Sequence, residues 1–191
     1  MAIAALEGAT VMVLNAIYEG DFVGFSYGFR PGRGPHDGLD ALAVAIPTRK
    51  VNWILDANVQ NFFGSVNQDW LVQFLEHRIG DKRIIRLIRK WLKAGVLEDG
   101  RLLETTEGTP QGSVVSPLLA NVYLHYVYDL WVEQWRTRQA KGDMIVVRYA
   151  DATARRRCDV EHLGAALLHR RWGGAPRTRV AGSGFKPPAA A

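Results

Sequence analysis

The sequence contains very little cysteine: Cys158 is the only one among 191 residues. One thiol can form neither an internal disulfide nor a cysteine-ligated zinc site, and the five histidines show no metal-ligand spacing. Long apolar runs are also absent, since no stretch reaches the roughly 18 residues that a membrane-spanning helix requires. The first residues lack the basic start of a signal peptide. We therefore expect a cytoplasmic protein without a disulfide scaffold or a membrane span.

Excess positive charge is missing from most of the chain, although the formal net charge is +5. Residues 1–151 contain 16 Lys and Arg against 17 Asp and Glu, whereas residues 152–191 contain 8 basic and 2 acidic residues. The surplus therefore lies entirely in the C-terminal segment. Global charge alone does not predict that residues 1–151 bind a polyanion.

The same boundary separates two kinds of sequence. Residues 1–151 show apolar periodicity, turn signals and helix caps, which predict one folded domain. Residues 152–191 are rich in Ala, Arg, Gly and Pro, and we predict that this tail is disordered. A shifted reading frame in a GC-rich gene would produce the same abrupt change. Comparing the other two frames after codon 151 tests that hypothesis.

Within residues 1–151 the pattern predicts helices and strands of a mixed α/β or α+β layer, and we expect the α+β class. Asn67 and Asp81 are expected to cap two helices, and Ser116-Pro117 to start a third, with Ser116 as its cap. The other predicted elements are a helix over 2–18, a Gly- and Pro-rich loop up to Gly34 followed by a helix, a strand over 51–57, a hairpin turning at 98–101 and a strand over 144–151.

The sheet of this fold is predicted to be unfinished, because only one strand follows the last long helix before the tail begins. The strand at 144–151 would then present an exposed edge and uncovered apolar surface. We therefore expect the chain to associate with itself through that edge.

Two predicted strands each end in an aspartate, Asp56 after VNWIL and Asp151 after IVVRYA. Carboxylates that converge at strand ends form a common Mg²⁺ site in phosphoryl-transfer enzymes. Aspartates also occupy turns and caps for purely structural reasons, and spacing alone favours that alternative.

Two further features could contact a nucleic acid. The loop EGTPQGSVVSP leads into a helix and could hold phosphate, although an ordinary turn is the simpler interpretation. The predicted helix after Asp81 has a basic face, and the YGFRPGR loop adds aromatic residues, so both could follow a nucleic-acid backbone. A solvated helix face explains the same composition.

Four stretches together resemble the reverse transcriptase/maturase family encoded by group II introns. They are FSYGFRPGRGPHDGLDAL, LDANVQNFFGSVNQDWL, TTEGTPQGSVVSPLLANVYLHYVYDLW and VVRYAD. They occur in the family's order and lie within residues 5–151. The resemblance implies part of the fingers and palm of a right-hand polymerase. The implied activity is that of an RNA-directed DNA polymerase, which uses an RNA template, a DNA primer and dNTPs. It also implies two Mg²⁺ ions held by aspartates from two palm strands.

The sequence departs from this family at the residues that would hold the metal. The family's first metal aspartate stands five residues before the second phenylalanine of the FF pair; here that phenylalanine is Phe63 and the position is Asn58. The second strand has Asp151 followed by Ala152, where the family has two aspartates. Asp56 is an unsuitable substitute, because it lies about 6.5–7 Å back along the strand. We therefore predict Asp151 as the remaining metal ligand, with impaired Mg²⁺ binding.

Three binding residues match the family by position. The resemblance places Phe63 against the sugar of the incoming nucleotide, Gln111 facing the template and Arg30 near template or nucleotide. Each could equally be retained as scaffold.

The resemblance leaves three readings of the function. The chain is a weakly active reverse transcriptase supported by Asp151, a non-catalytic RNA-binding remnant that assists intron RNA folding, or an inert product. Because the resemblance stops at Asp151, we expect a truncated and catalytically defective member of the family. Of these three possibilities, we favour the RNA-binding remnant and the inert product over an active enzyme.

Overall fold

The structure is a computed structural model, and it describes residues 2–49, 54–59, 61–93, 96–98, 101–103, 108–109, 113–140 and 143–155. The helices are α1 (Ala2–Tyr18), α2 (Pro35–Thr48), α3 (Phe62–Ser65), α4 (Gln68–Arg78), α5 (Lys82–Lys93), α6 (Ser116–Leu124) and α7 (Leu130–Arg138), and a π-helical turn at His125–Asp129 joins the last two. The strands are β1 (Leu55–Asn58), β2 (Val96–Glu98), β3 (Arg101–Leu103), β4 (Val146–Tyr149) and β5 (Ala152–Arg155).

Local signals account for several of these boundaries. The Asn67 side chain accepts the backbone N–H of Trp70 at 3.0 Å and caps α4. The Asp81 carboxylate accepts the N–H of Arg83 at 2.8 Å at the start of α5. Both caps were predicted. Ser116, by contrast, is the first residue of α6 rather than its cap, because its N–H already closes a turn onto the carbonyl of Ser113 at 3.3 Å.

The main core lies where α1, α4, α5 and α6 meet, and α6 is buried on nearly all sides. The buried residues there include Leu14, Tyr18, Leu71, Leu75, Ile88, Leu92, Leu119 and Val122. A fold of helices packed beside an antiparallel sheet matches the predicted α+β class. In the part of the chain that the structure describes, no helix is both long and apolar enough to cross a membrane.

The main sheet has three antiparallel strands in the order β1-β5-β4. The expectation that only one strand follows the last long helix was wrong, because residues 152–155, assigned to a disordered tail, form the central strand. Ala152 pairs with Asn58 on one side and with Tyr149 on the other. Residues 156–191 and the predicted strand residues 51–53 lie outside the described residues.

The outer edge of β4 is covered as well. The Arg148 N–H donates to the carbonyl of Phe25 at 2.8 Å, and the Arg148 carbonyl accepts the N–H of Tyr27 at 2.9 Å. Ser26 thus forms a parallel bridge with Arg148. The exposed edge on which self-association was predicted is therefore absent from β4, because β5 and the Phe25–Tyr27 segment occupy its two sides.

Candidate functional site

The two strand ends that were expected to converge meet at one end of the main sheet. Asn58 is the last residue of β1, and its Cα partner is Ala152, the first residue of β5. Asp151 lies in the two-residue turn between β4 and β5, and its carbonyl accepts the N–H of Val59 at 3.3 Å. The fold therefore brings together the three positions at which the family resemblance places metal aspartates.

The donor set at this end of the sheet does not fit a pair of Mg²⁺ ions. Asn58 offers a neutral amide oxygen, Ala152 offers none, and Asp151 supplies one carboxylate. Asp56 is exposed on the same face of β1 as Asn58, but its partner is Ala154, farther along β5. Across the described ranges, no group of three or more His, Cys, Asp or Glu side chains is arranged to hold a metal. Mg²⁺ requires near-octahedral oxygen ligands, so one carboxylate is too few.

A buried arginine supports the turn that carries Asp151. Arg148 on β4 has no solvent exposure, and each of its guanidinium N–H groups has an acceptor. It forms a bidentate pair with Asp129, with both distances 2.7 Å. It also donates to Asn121 Oδ1 at 3.1 Å, to Ser26 Oγ at 2.6 Å and to the Ala150 carbonyl at 2.9 Å. Such a saturated buried cation fixes its neighbours in one arrangement.

This network joins the loop before α2 to the turn between β4 and β5. Asn121 donates from Nδ2 to the Gly28 carbonyl at 2.6 Å while its Oδ1 accepts from Arg148. Ala150 has a positive φ of 53° and its carbonyl is held by Arg148. Sequence reasoning missed this network. Two sequence features could have revealed it: the lone Arg148 within an apolar strand and the polar Asn121 within an apolar helix.

The π-helical turn places the acidic partner of Arg148. Asp129 is the last residue of this turn and is fully buried. His125, at its start, is also buried and lies beside the main core. Burial lowers the pKa of His125, and the nearby Asp129 carboxylate opposes that shift. The extra residue of a π-turn rotates the following side chains, a feature often found at functional sites.

Gly28 packs directly against the turn, and this contact gives a first prediction. A Cβ built at Gly28 would overlap the backbone nitrogen of Ala150, and backbone cannot move aside as a flexible side chain can. We expect Gly28→Ala to destabilise the fold by about 1–3 kcal/mol, the usual cost of overpacking. Urea unfolding followed by circular dichroism measures this loss.

The matched control is Gly24→Ala, because nothing lies within 4 Å of a Cβ built at Gly24. That variant should unfold within about 0.5 kcal/mol of the parent chain. Equal stability of the Gly28 and Gly24 variants would contradict the close packing of the loop on the turn.

Phe63 lies beside the segment that leads to Gln111. It is half-buried, and its ring meets Phe62 edge-on at 5.4 Å. Its carbonyl accepts the N–H of Thr109 at 2.8 Å, and Gly108 adopts the left-handed region with φ 86°. Gln111 itself lies outside the described residues, so its predicted template contact stays a prediction.

The Arg30 side chain is buried and bonded within the protein, and its predicted place near template or nucleotide stays a prediction. Its side chain is 2% exposed and pairs with Glu19 at 2.6 Å. It also donates to the carbonyls of Val23 and Ser26, both at 2.8 Å. A template or nucleotide contact would require breaking these bonds. The arrangement gives Arg30 the role of holding the glycine-rich loop in shape.

Residues 2–158 match the family described as reverse transcriptase (RNA-dependent DNA polymerase). The chain belongs to the reverse transcriptase family, of the group II intron type. It is 36% identical over 120 residues to the group II intron-encoded protein LtrA of Lactococcus lactis subsp. cremoris, covering 63% of this chain and 20% of that protein. An uncharacterized 91 kDa protein in a cob intron of Schizosaccharomyces pombe is 41% identical over 126 residues, which cover 66% of this chain and 15% of that protein.

Protein YkfC of Escherichia coli is 30% identical over 141 residues, covering 72% of this chain and 37% of its own length. The chain therefore spans between 15% and 37% of these relatives. A solved telomerase structure from Candida albicans matches 97% of this chain and 35% of its own chain with a TM-score of 0.58 at 13% identity. The apo telomerase of Candida tropicalis matches 82% of this chain and 34% of its own chain with a TM-score of 0.55, also at 13% identity. These likenesses confirm the predicted reverse-transcriptase type of fold.

Proposed function

We propose that this reverse transcriptase relative binds RNA but polymerises DNA at no useful rate. The observation that carries the proposal is the pairing of Asn58 with Ala152 beside Asp151, because it gathers both substituted positions at one place. With one carboxylate there, two dications and a nucleotide triphosphate would have too little compensating negative charge. Mg²⁺ binding is therefore impaired, and Asp151 is its remaining protein ligand.

The substitutions leave the scaffold for binding intact, which supports an RNA-binding function over an inert product. In the main sheet β5 pairs with both β1 and β4, and Arg148 has a partner for every donor. Phe63 keeps its half-buried place beside the Gly108 segment. An RNA template or intron RNA is the partner that the family implies, whereas a DNA primer and dNTPs need not be engaged.

Primer extension and RNA binding test the two halves of this proposal separately. On an RNA template with a DNA primer, the purified chain should give no extension above the template-free background with either Mg²⁺ or Mn²⁺. A commercial reverse transcriptase in the same buffer is the positive control. Fluorescence anisotropy with a labelled RNA hairpin should show binding that weakens as KCl is raised.

Either half can fail on its own. Templated incorporation by a preparation free of contaminating polymerase would contradict the catalytic defect. Absence of RNA binding by a correctly folded chain would leave the inert product as the better description.

A further inference from the structure

Helix α5 carries an unusual concentration of one charge. Six of its twelve residues are Lys or Arg and none is acidic. All six cationic residues are exposed, whereas the opposite face packs into the core through Ile85, Ile88, Trp91 and Leu92. We define the basic face of α5 as Lys82, Arg83, Arg86, Arg89, Lys90 and Lys93.

Most of this face lacks neutralising partners. Arg83 pairs with Asp81 and Arg89 with Glu76, both at 3.0 Å and both at the surface. Among the described residues, no ion pair forms at the other four positions of the basic face. Surface ion pairs of this kind contribute little to stability, so these arginines can readily pair with another anion instead.

The spacing of the cations forms one continuous stripe. Arg86, Arg89, Lys90 and Lys93 follow the i, i+3, i+4, i+7 pattern that places side chains on the same side of a helix. From Lys82 to Lys93 the stripe extends about 16 Å along the axis. Residues 1–151 otherwise contain an excess of acidic groups, so within that range positive charge is concentrated on α5.

The end of this stripe lies close to Phe63, which the family resemblance places against the sugar of the incoming nucleotide. The Gln68 side chain donates from Nε2 to the carbonyl of Leu92 at 3.3 Å and to that of Gly108 at 2.9 Å. Gly108 in turn packs on Phe63. One bound strand could therefore run along α5 towards the Phe63 segment.

We propose that the basic face of α5 is a binding surface for the phosphate backbone of RNA. The inference rests on the proposed RNA-binding function and names the surface that serves it. A phosphate backbone requires cations and no apolar anchor. A membrane-binding helix needs a free apolar face and a stable protein interface needs buried aromatic or aliphatic anchors, whereas the fully buried apolar side chains of α5 already pack in the core.

The test compares three double variants of the full chain that each remove two positive charges. Arg86→Gln/Lys90→Gln alters the basic face at two exposed positions without an ion pair. Arg49→Gln/Arg138→Gln removes two exposed cations elsewhere on the fold. Arg170→Gln/Arg171→Gln removes two from the basic C-terminal segment. Circular dichroism verifies that all three retain the parent helicity.

Binding of a labelled RNA hairpin is then measured at several KCl concentrations. The α5 variant should bind about tenfold more weakly than the parent, and its slope of log affinity against log salt should fall by about 1.4–1.8, the value for two lost phosphate contacts. The other two variants should keep the parent slope.

Three outcomes would overturn this assignment. Equal losses in the α5 and Arg49/Arg138 variants would indicate bulk charge, and a loss confined to the Arg170/Arg171 variant would assign binding to the C-terminal segment. In both cases the RNA-binding function itself would stand. A parent chain that binds no RNA at low salt would remove the function and this surface together.

Discussion

Arg148→Met is expected to cost about 3–5 kcal/mol of folding free energy, because it leaves the Asp129 carboxylate charged, buried and unpaired. Asp129 and the Arg148 side chain are at most 1% exposed, so solvent cannot replace the lost partner. The substitution also removes the donors that hold the carbonyl of Ala150 and the side chains of Asn121 and Ser26. Urea unfolding followed by circular dichroism and tryptophan fluorescence measures the loss.

A double variant separates the ion pair from the rest of the network. Arg148→Met/Asp129→Leu removes both charges, and replacing a buried pair with apolar side chains is often nearly neutral. It should therefore be more stable than Arg148→Met alone, and its loss of stability should be smaller than the sum of the losses of the two single variants. The control, Arg138→Met on the exposed side of α7, should change stability by less than about 0.5 kcal/mol. A loss below about 1 kcal/mol for Arg148→Met would refute the structural role of the network.

Restoring the two substituted carboxylates should create a divalent-metal site. In Asn58→Asp/Ala152→Asp the new carboxylates are register partners and stand beside Asp151, so three anionic groups meet at one end of the sheet. Mg²⁺ binds preferentially to such oxygen ligands. We expect Mg²⁺ affinity to rise at least about tenfold over the parent chain, equivalent to about 1.4 kcal/mol. Isothermal titration calorimetry with Mg²⁺ measures the change.

Binding is the better readout than polymerisation, because the chain spans only 15–37% of the three relatives described above. The control, Gln134→Glu/Gln139→Glu, adds the same negative charge at exposed positions on and after α7. It should leave Mg²⁺ affinity unchanged. If the two double variants gained equally, net charge rather than the geometry at Asp151 would explain the effect. If parent and restored chains bound Mg²⁺ equally well, the proposed shortage of ligands would be wrong.

Much of the local structure followed from the amino-acid sequence. Asn67 and Asp81 cap the helices that they were predicted to cap, and the hairpin at 98–101 pairs Glu98 with Arg101. These features depend on residues within a few positions of one another, where side-chain chemistry decides the backbone conformation. The family, and the positions at which its aspartates are substituted, could also be predicted from the sequence, because both are defined by short motifs.

Long-range contacts decided what local patterns could not. Residues 152–155 look like the start of a tail, yet they form the central strand, because β1 and β4 each present an unpaired edge of backbone donors and acceptors at that place. The partners of Arg30, which are Glu19 and two backbone carbonyls, were not visible in the local pattern.

The sequence by itself determined most of the helices, the caps at Asn67 and Asp81 and the family, and the resemblance alone marked Asn58 and Ala152 as positions of family aspartates. Only the tertiary structure decided that these positions face each other and that Arg148 supports the turn beside them. The physical reason is distance along the chain: the Arg148 contact to Ser26 joins residues 122 positions apart, and the Asn121 contact to Gly28 joins residues 93 apart. No local propensity specifies such partners, since packing of the whole core sets which buried polar groups meet.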